Sequence, residues 1–259
     1  MKIPIYQIDA FAEHVFKGNP AAVCPLREWF DDAVLQAVAQ ENNLSETAFF
    51  VPVGEGYHIR WFTPVAEVDL CGHATLGTAY VILHELEPHL DRVTFRSRSG
   101  ILSVRRDGDM LAMDFPTQPP KPCDIPSALP QALGTTPVEI LASEDYFVVL
   151  SKEEDVVVTR PDFNRLKELD LRGIIVTAKG NQADFVSRFF APKLGIDEDP
   201  VTGSAHCALT PYWAHRMGKS RLRAHQLSKR GGTLYCEDRG DRVVIAGKAV
   251  TYLEGHITI

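Results

Sequence analysis

Two polar, glycine-bearing turns in this chain each run into a small-residue, apolar segment suited to a helix. The first is Asp69-Leu70-Cys71-Gly72-His73-Ala74-Thr75-Leu76-Gly77, and the second is Asp199-Pro200-Val201-Thr202-Gly203-Ser204-Ala205-His206. Helix N-termini of this kind offer unpaired backbone N–H groups and the positive end of a dipole, so they attract carboxylates and developing oxyanions. His73, Asp199 and Ser204 are the polar side chains that accompany them. Each also has an ordinary structural reading: a lone histidine at a helix start as a cap, an aspartate before proline as a turn residue, a serine in a first helical turn bonded to its own backbone. Two such termini in one chain point to a site built between two halves.

The elements around them repeat. Arg60-Trp61-Phe62-Thr63-Pro64 returns 128 residues later as Arg188-Phe189-Phe190-Ala191-Pro192. Cys71-Gly72-His73-Ala74 returns after 131 residues as Thr202-Gly203-Ser204-Ala205, and Arg98-Ser99-Gly100-Ile101-Leu102 after 132 as Arg230-Gly231-Gly232-Thr233-Leu234. Collinear matches with so little drift indicate a tandem duplication. The proline-rich stretch 116–126 reads as the joint, giving a first domain over 1–115, whose sheet the C-terminal strand is free to join, and a second over 127–259. Within each copy, alternating strands flank one helix that is apolar on all sides (Ala74 to Leu86, and Gly203 to Met217). Such a helix must be covered, so the strands should wrap it. Asp31 to Gln40 reads as an amphipathic helix, and Asp155 to Val158 as a strand.

Composition excludes several classes. The chain has 259 residues, 45% of them hydrophobic, and a formal net charge of −7. That balance argues against a nucleic-acid surface. No apolar run reaches membrane-spanning length, and the first residues lack a signal-peptide core, so a cytoplasmic protein is expected. Five cysteines (Cys24, Cys71, Cys123, Cys207, Cys236) form no C-x-x-C pair, which indicates neither a zinc site nor a disulfide framework. His206 with Cys207, and His84 with His89, lack metal-ligand spacing and read as structural.

Taken in order, the blocks Gln7-Ile8-Asp9-Ala10-Phe11, Gly18-Asn19-Pro20-Ala21-Ala22-Val23, Asn43-Leu44-Ser45-Glu46-Thr47-Ala48-Phe49, Arg60-Trp61-Phe62-Thr63-Pro64 and the two glycine turns resemble the PhzF-like phenazine-biosynthesis isomerases. The resemblance covers essentially the whole chain. It implies an α+β fold of two pseudo-symmetric domains of the diaminopimelate epimerase type, each a strongly curved, mostly antiparallel sheet around a central helix. It also implies a cofactor-free proton transfer at carbon, with no metal, on a small cyclic or amino-acid-like carboxylate, and a homodimer. The family's acid/base falls on Glu46. Its substrate-binding groups fall on His73, Asp199 and Ser204 and on the backbone amides at Gly72 and Gly203.

The residues make chemical sense of that role. A carboxyl followed by Phe49 and Phe50 in a closed cleft can both take and return a proton, and two helix N-termini can hold a substrate carboxylate. Epimerases of this fold use a cysteine pair, one in each turn. Here Thr202 stands at the second position, which disfavours a two-base cysteine racemase. A Cys71–His73 thiol hydrolase is disfavoured because residues i and i+2 of a helix point apart. A non-catalytic carboxylate-binding protein on the same fold, and a cysteine-dependent racemase or epimerase using Cys71 with a partner other than Thr202, are the alternatives.

Overall fold

The helix Gly72–Val81 has no polar face: His73 through Ala79 and Val81 are all buried. A helix of that kind is stable only when surrounded. The computed structural model, which describes residues 1–259, packs it against the strands Lys2–Ala10, Asn19–Pro25 and Glu46–Val53. At Gly77 a Cβ would lie 3.4 Å from the Ile8 Cβ, at the short edge of ordinary van der Waals contact, so helix and strand meet here through small groups. The helix closes with a π turn over Ile82–Leu86.

Around this helix the first unit lays its strands in the order Ala249–Thr258, Lys2–Ala10, Asn19–Pro25, Glu46–Val53, Gly56–Phe62, Arg92–Ser97, Gly100–Asp107 and Met110–Pro116. From Lys2–Ala10 to Gly100–Asp107 the pairings run antiparallel, parallel, antiparallel, parallel, antiparallel. The amphipathic helix Asp32–Asn42 buries Leu35, Val38 and Ala39 in a cluster with Phe49, Val51 and Phe62.

The second unit uses the same plan. Glu139–Ala142, Tyr146–Val149, Ile174–Lys179, Phe185–Ala191, Arg221–Gln226 and Gly232–Asp238 pair in the same alternation, antiparallel first and last. Its central helix is His206–Met217. The duplication read from three short matches is therefore present in every strand pairing. It extends to side chains. Arg60 grips Glu67 with Nε and Nη2, both at 2.7 Å, while its guanidinium lies over the Phe62 ring. Arg188 grips Glu198 at 2.7 and 3.0 Å and lies over Phe190.

Two expectations need correction, while the C-terminal strand takes the course left open for it. The chain divides into Met1–Asp114 plus Ala246–Ile259, and Phe115–Ile245. The last strand leaves to pair with Lys2–Ala10 over its whole length. The stretch 116–126 is not a free joint. It is tied down by Thr117 and Gln118 N–H donating to the Asp241 and Cys207 carbonyls, and by the Lys121–Ala142 bridge. Finally, Asp155 to Val158 belongs to a helix, Glu153–Val158, whose first turn carries Glu153, Glu154 and Asp155. Three acids at the positive end of the helix outweigh the strand preference of Val156-Val157-Val158.

Gly18 sits at φ +65°, and a Cβ there would come within 2.1 Å of the Ala10 carbonyl oxygen, whereas Gly54 at φ +62° has nothing within 4 Å. Urea denaturation should show Gly54→Ala costing about 1 kcal/mol, from the left-handed backbone alone. Gly18→Ala should cost at least about 2 kcal/mol more, because the turn must also move.

Candidate functional site

Glu46 opens its strand, and the central helix of the first unit begins opposite it. Its carboxylate Oε2 lies 3.1 Å from His73 Nε2. Both groups are buried. The two atoms are close but off the line a hydrogen bond needs, so each keeps unspent bonding capacity. On the other edge of the imidazole, Nδ1 faces the Asn19 carboxamide nitrogen at 3.2 Å and Cys71 Sγ at 3.5 Å. Neutral His73 accepts at Nδ1 from the amide and so carries its proton on Nε2; the imidazolium carries protons on both nitrogens. In either state a proton on Nε2 faces Glu46.

Burial works against a charged imidazole, yet the neighbouring Cys71 sulfur and Glu46 carboxylate outweigh it and hold His73 well above the usual histidine value. The Cys71 thiol is itself pushed up to about 11, first by burial and then by Glu46. It is therefore neutral near pH 7, and Glu46 is the partner that keeps His73 charged. Cys71 was expected to point away from His73. It does not, because Cys71 is the residue ahead of the helix, with extended φ −143° and ψ 108°, and the spacing rule holds only between helical residues.

The metal-binding capacity of this group was invisible as a spacing motif. One oxygen of Glu46, Cys71 Sγ and one nitrogen of His73 lie within 4.8 Å of one another, and all three residues are buried.

In the second unit, Ser204 occupies the place His73 holds in the first. Arg172 donates from Nη2 to Ser204 Oγ at 3.3 Å and is clamped by Asp145 at 3.0 and 2.6 Å. Guanidinium has no acceptor, so Ser204 must accept from it, and its own hydroxyl proton is left to point elsewhere. The Gly203 and Ser204 backbone N–H groups donate to no carbonyl; they lie in the turn just ahead of the helix, which starts at His206 rather than at the expected Gly203. Asp199 Oδ2 accepts from the Thr202 hydroxyl at 2.5 Å. Gln226, almost wholly buried, holds that turn from both ends. It accepts from Thr202 N–H and donates to the Asp199 carbonyl, both at 2.8 Å, and to Thr202 Oγ1 at 3.1 Å.

Glu46 thus meets His73 with its Gly72 turn, and Asp199 belongs to the same turn as Gly203 and Ser204. Arg172, Asp145, Gln226 and Asn19 were missed. Asn19 and Gln226 sit on other strands and Asp145 and Arg172 in bends just ahead of strands, and Arg172 stands one residue before the repeat position of Glu46, judged from Thr47 pairing with Phe62 and Ile174 with Phe190.

A family model described as phenazine biosynthesis-like protein matches residues 8–255. The chain belongs to the phenazine biosynthesis-like (PhzF) family. Within that family it is 56% identical over 255 residues to a protein of Pseudomonas aeruginosa named as an uncharacterized isomerase, with 98% of each chain covered. It is 49% identical to the crystal structure of a PhzF-family protein from Enterococcus faecalis, covering 100% of both chains at a TM-score of 0.98. A hydroxyproline epimerase from Agrobacterium vitis, 9% identical with a TM-score of 0.60 over 99% of this chain and 92% of its own, shares the fold. The PhzF chain described here accordingly has the α+β, diaminopimelate epimerase-like architecture. None of its helices is long and apolar enough to cross a membrane.

His206, read as structural, is fully buried, and its Nδ1 lies 2.8 Å from the Thr202 carbonyl, to which it must donate. Burial lowers its pKa to about 4. Between about pH 6.5 and 4 the unfolded chain binds this proton and the folded chain does not, so stability rises with pH across that window and is lost on acidification. The full effect is about 3 kcal/mol. Urea midpoints measured from pH 7 down to 4 should fall less steeply in His206→Gln than in the wild type.

Proposed function

We propose that the chain is a cofactor-independent isomerase that moves a proton at carbon on a small cyclic or amino-acid-like carboxylate. Glu46 removes the proton from carbon and returns it. His73 stands beside that carboxylate with its Nε2 proton unspent and available to the substrate. Donors of the second unit hold the substrate carboxylate: Ser204, whose hydroxyl proton is left free by Arg172, and the Gly203 and Ser204 N–H groups. Asp199, fixed by Thr202 and Gln226, orients the substrate from the same turn.

The observation that carries this reading is the buried Glu46–His73 contact at the foot of a glycine helix start. That carboxylate belongs to a residue only 8% exposed, and a general base in that setting contributes typically 10²–10⁴-fold. The relatives named isomerases support the reaction class. A cysteine base is the weaker reading on two counts. Cys71 stays protonated at ordinary pH, and Thr202, which holds the other position, uses its hydroxyl to fix Asp199.

Candidate cyclic and amino-acid carboxylates incubated with the protein in heavy water should take up deuterium at carbon, followed by NMR. Glu46→Gln should slow that exchange at least about a hundredfold while leaving ligand affinity within a few-fold. Exchange at the wild-type rate in Glu46→Gln would remove Glu46 from its role. Ligand-dependent stabilisation with no exchange for any carboxylate would make the chain a binding protein instead. Ser204→Ala should raise KM or Kd roughly tenfold or more, the loss of a hydrogen bond to a charged group, with a smaller effect on kcat.

A further inference from the structure

Glu46, Cys71 and His73 bring together three different donor atoms, and the geometry points to a second use for them. We propose that these side chains form a binding site for a single borderline-soft divalent cation of the zinc type.

The donor set fits that class of ion. Thiolate, imidazole and carboxylate together suit zinc and its neighbours, and exclude magnesium and calcium, which take oxygen ligands. Glu46 Oε2 and His73 Nε2 stand 3.1 Å apart. That is the separation of two ligands at about 2.0–2.1 Å from one shared metal, subtending about 100°. The same two atoms are buried without a hydrogen-bond partner, and a metal gives both of them a bond.

Charge favours the ion as well. A dication that displaces the Cys71 thiol proton and the His73 Nε2 proton makes a neutral unit with the thiolate and the carboxylate, the form in which these charges are best kept out of water. Asn19 supplies the outer support. Its carboxamide lies 3.2 Å from His73 Nδ1, and turned over it accepts the Nδ1 proton and leaves Nε2 free for the metal. Cys71 Sγ lies nearest Nδ1, at 3.5 Å, so binding requires a rotation about the Cys71 Cα–Cβ bond to bring the sulfur round. Three protein ligands leave the fourth position open to water or an anion.

An occupied site withholds Glu46 from proton transfer, so the metal and turnover exclude each other; this consequence rests on the isomerase reading above, while the site itself does not.

The test uses the full-length, metal-free chain titrated with Co²⁺. We expect a thiolate-to-cobalt charge-transfer band in the near ultraviolet that saturates at one cobalt per chain and is displaced by Zn²⁺. The band should vanish in Cys71→Ser, persist in Cys123→Ser, and need at least about tenfold more cobalt in Glu46→Gln, with circular dichroism showing each variant folded. A wild-type chain without the band, or a band that survives in Cys71→Ser, overturns the site with no reference to activity. Deuterium exchange is then read with Zn²⁺ and after a chelator: at least about a tenfold loss, restored by the chelator, is expected. Exchange at full rate on the zinc-saturated chain overturns the site as drawn, since Glu46 would not be a ligand. If no carboxylate exchanges under any condition, the isomerase reading falls and the cobalt spectrum alone decides the site.

Discussion

Each central helix begins at a turn that would be free to wander if nothing fixed the strand leading into it. The fixing element is a two-pronged arginine–carboxylate pair, Arg60 with Glu67 and Arg188 with Glu198. Arg60 and Arg188 lie on the strands that precede the turns, and Glu67 and Glu198 lie inside the short returns that lead to Gly72 and Gly203. The pairs are largely out of water, with side-chain exposures of 13% and 12% for the first and 10% and 22% for the second. Breaking one partner of a buried pair costs roughly 3–5 kcal/mol where the other charge is left stranded; the first pair is buffered against that, since Asp32 also holds Arg60 and Arg98 also holds Glu67. The stacking of each guanidinium on a phenylalanine fixes the plane in which the fork must lie. The helix starts, and so everything proposed for them, inherit their positions from these two clamps.

Given the same frame twice, the two units have diverged in charge. In one, the strand that opens toward the glycine turn begins with a carboxylate, Glu46, and the helix answers with an imidazole. In the other, the corresponding strand is preceded by a guanidinium, Arg172, and the helix answers with a hydroxyl, Ser204. The first pairing can gain or lose a proton. The second cannot, since arginine stays charged; it can only hold and donate. A duplicated scaffold has thus come to carry a titratable pair in one copy and a permanently charged donor in the other by changing a few residues at equivalent places, with Thr202 turned to internal bracing where Cys71 stands in the other copy.

Much of this was readable before any coordinates. Arg60-Trp61-Phe62 and Arg188-Phe189-Phe190 announced the repeat because each guanidinium lies over the phenylalanine two residues on, whereas the carboxylates, seven residues on in one copy and ten in the other, did not. Glu46 carried no local signature beyond polar neighbours at a strand mouth, and only the ordered family blocks picked it out. Arg172, Asp145 and Gln226 left no trace, because their partners lie 24–32 residues away and chain proximity says nothing about them. Cys71 was misjudged through a helical rule applied to a residue just outside the helix. Val156 to Val158 was misjudged because β-branching was weighed without the three acids before it.

The strand Ala249–Thr258 pairs with Lys2–Ala10, and the Ile259 N–H donates to the Met1 carbonyl at 2.9 Å. During synthesis the segment 115–245 is contiguous and can close its own sheet as soon as it emerges. The first unit cannot; its strand Lys2–Ala10 keeps an open edge until Ala249–Thr258 has been made. The order of completion therefore runs against the order of translation, and the part holding Glu46 is closed after the part that follows it in the chain.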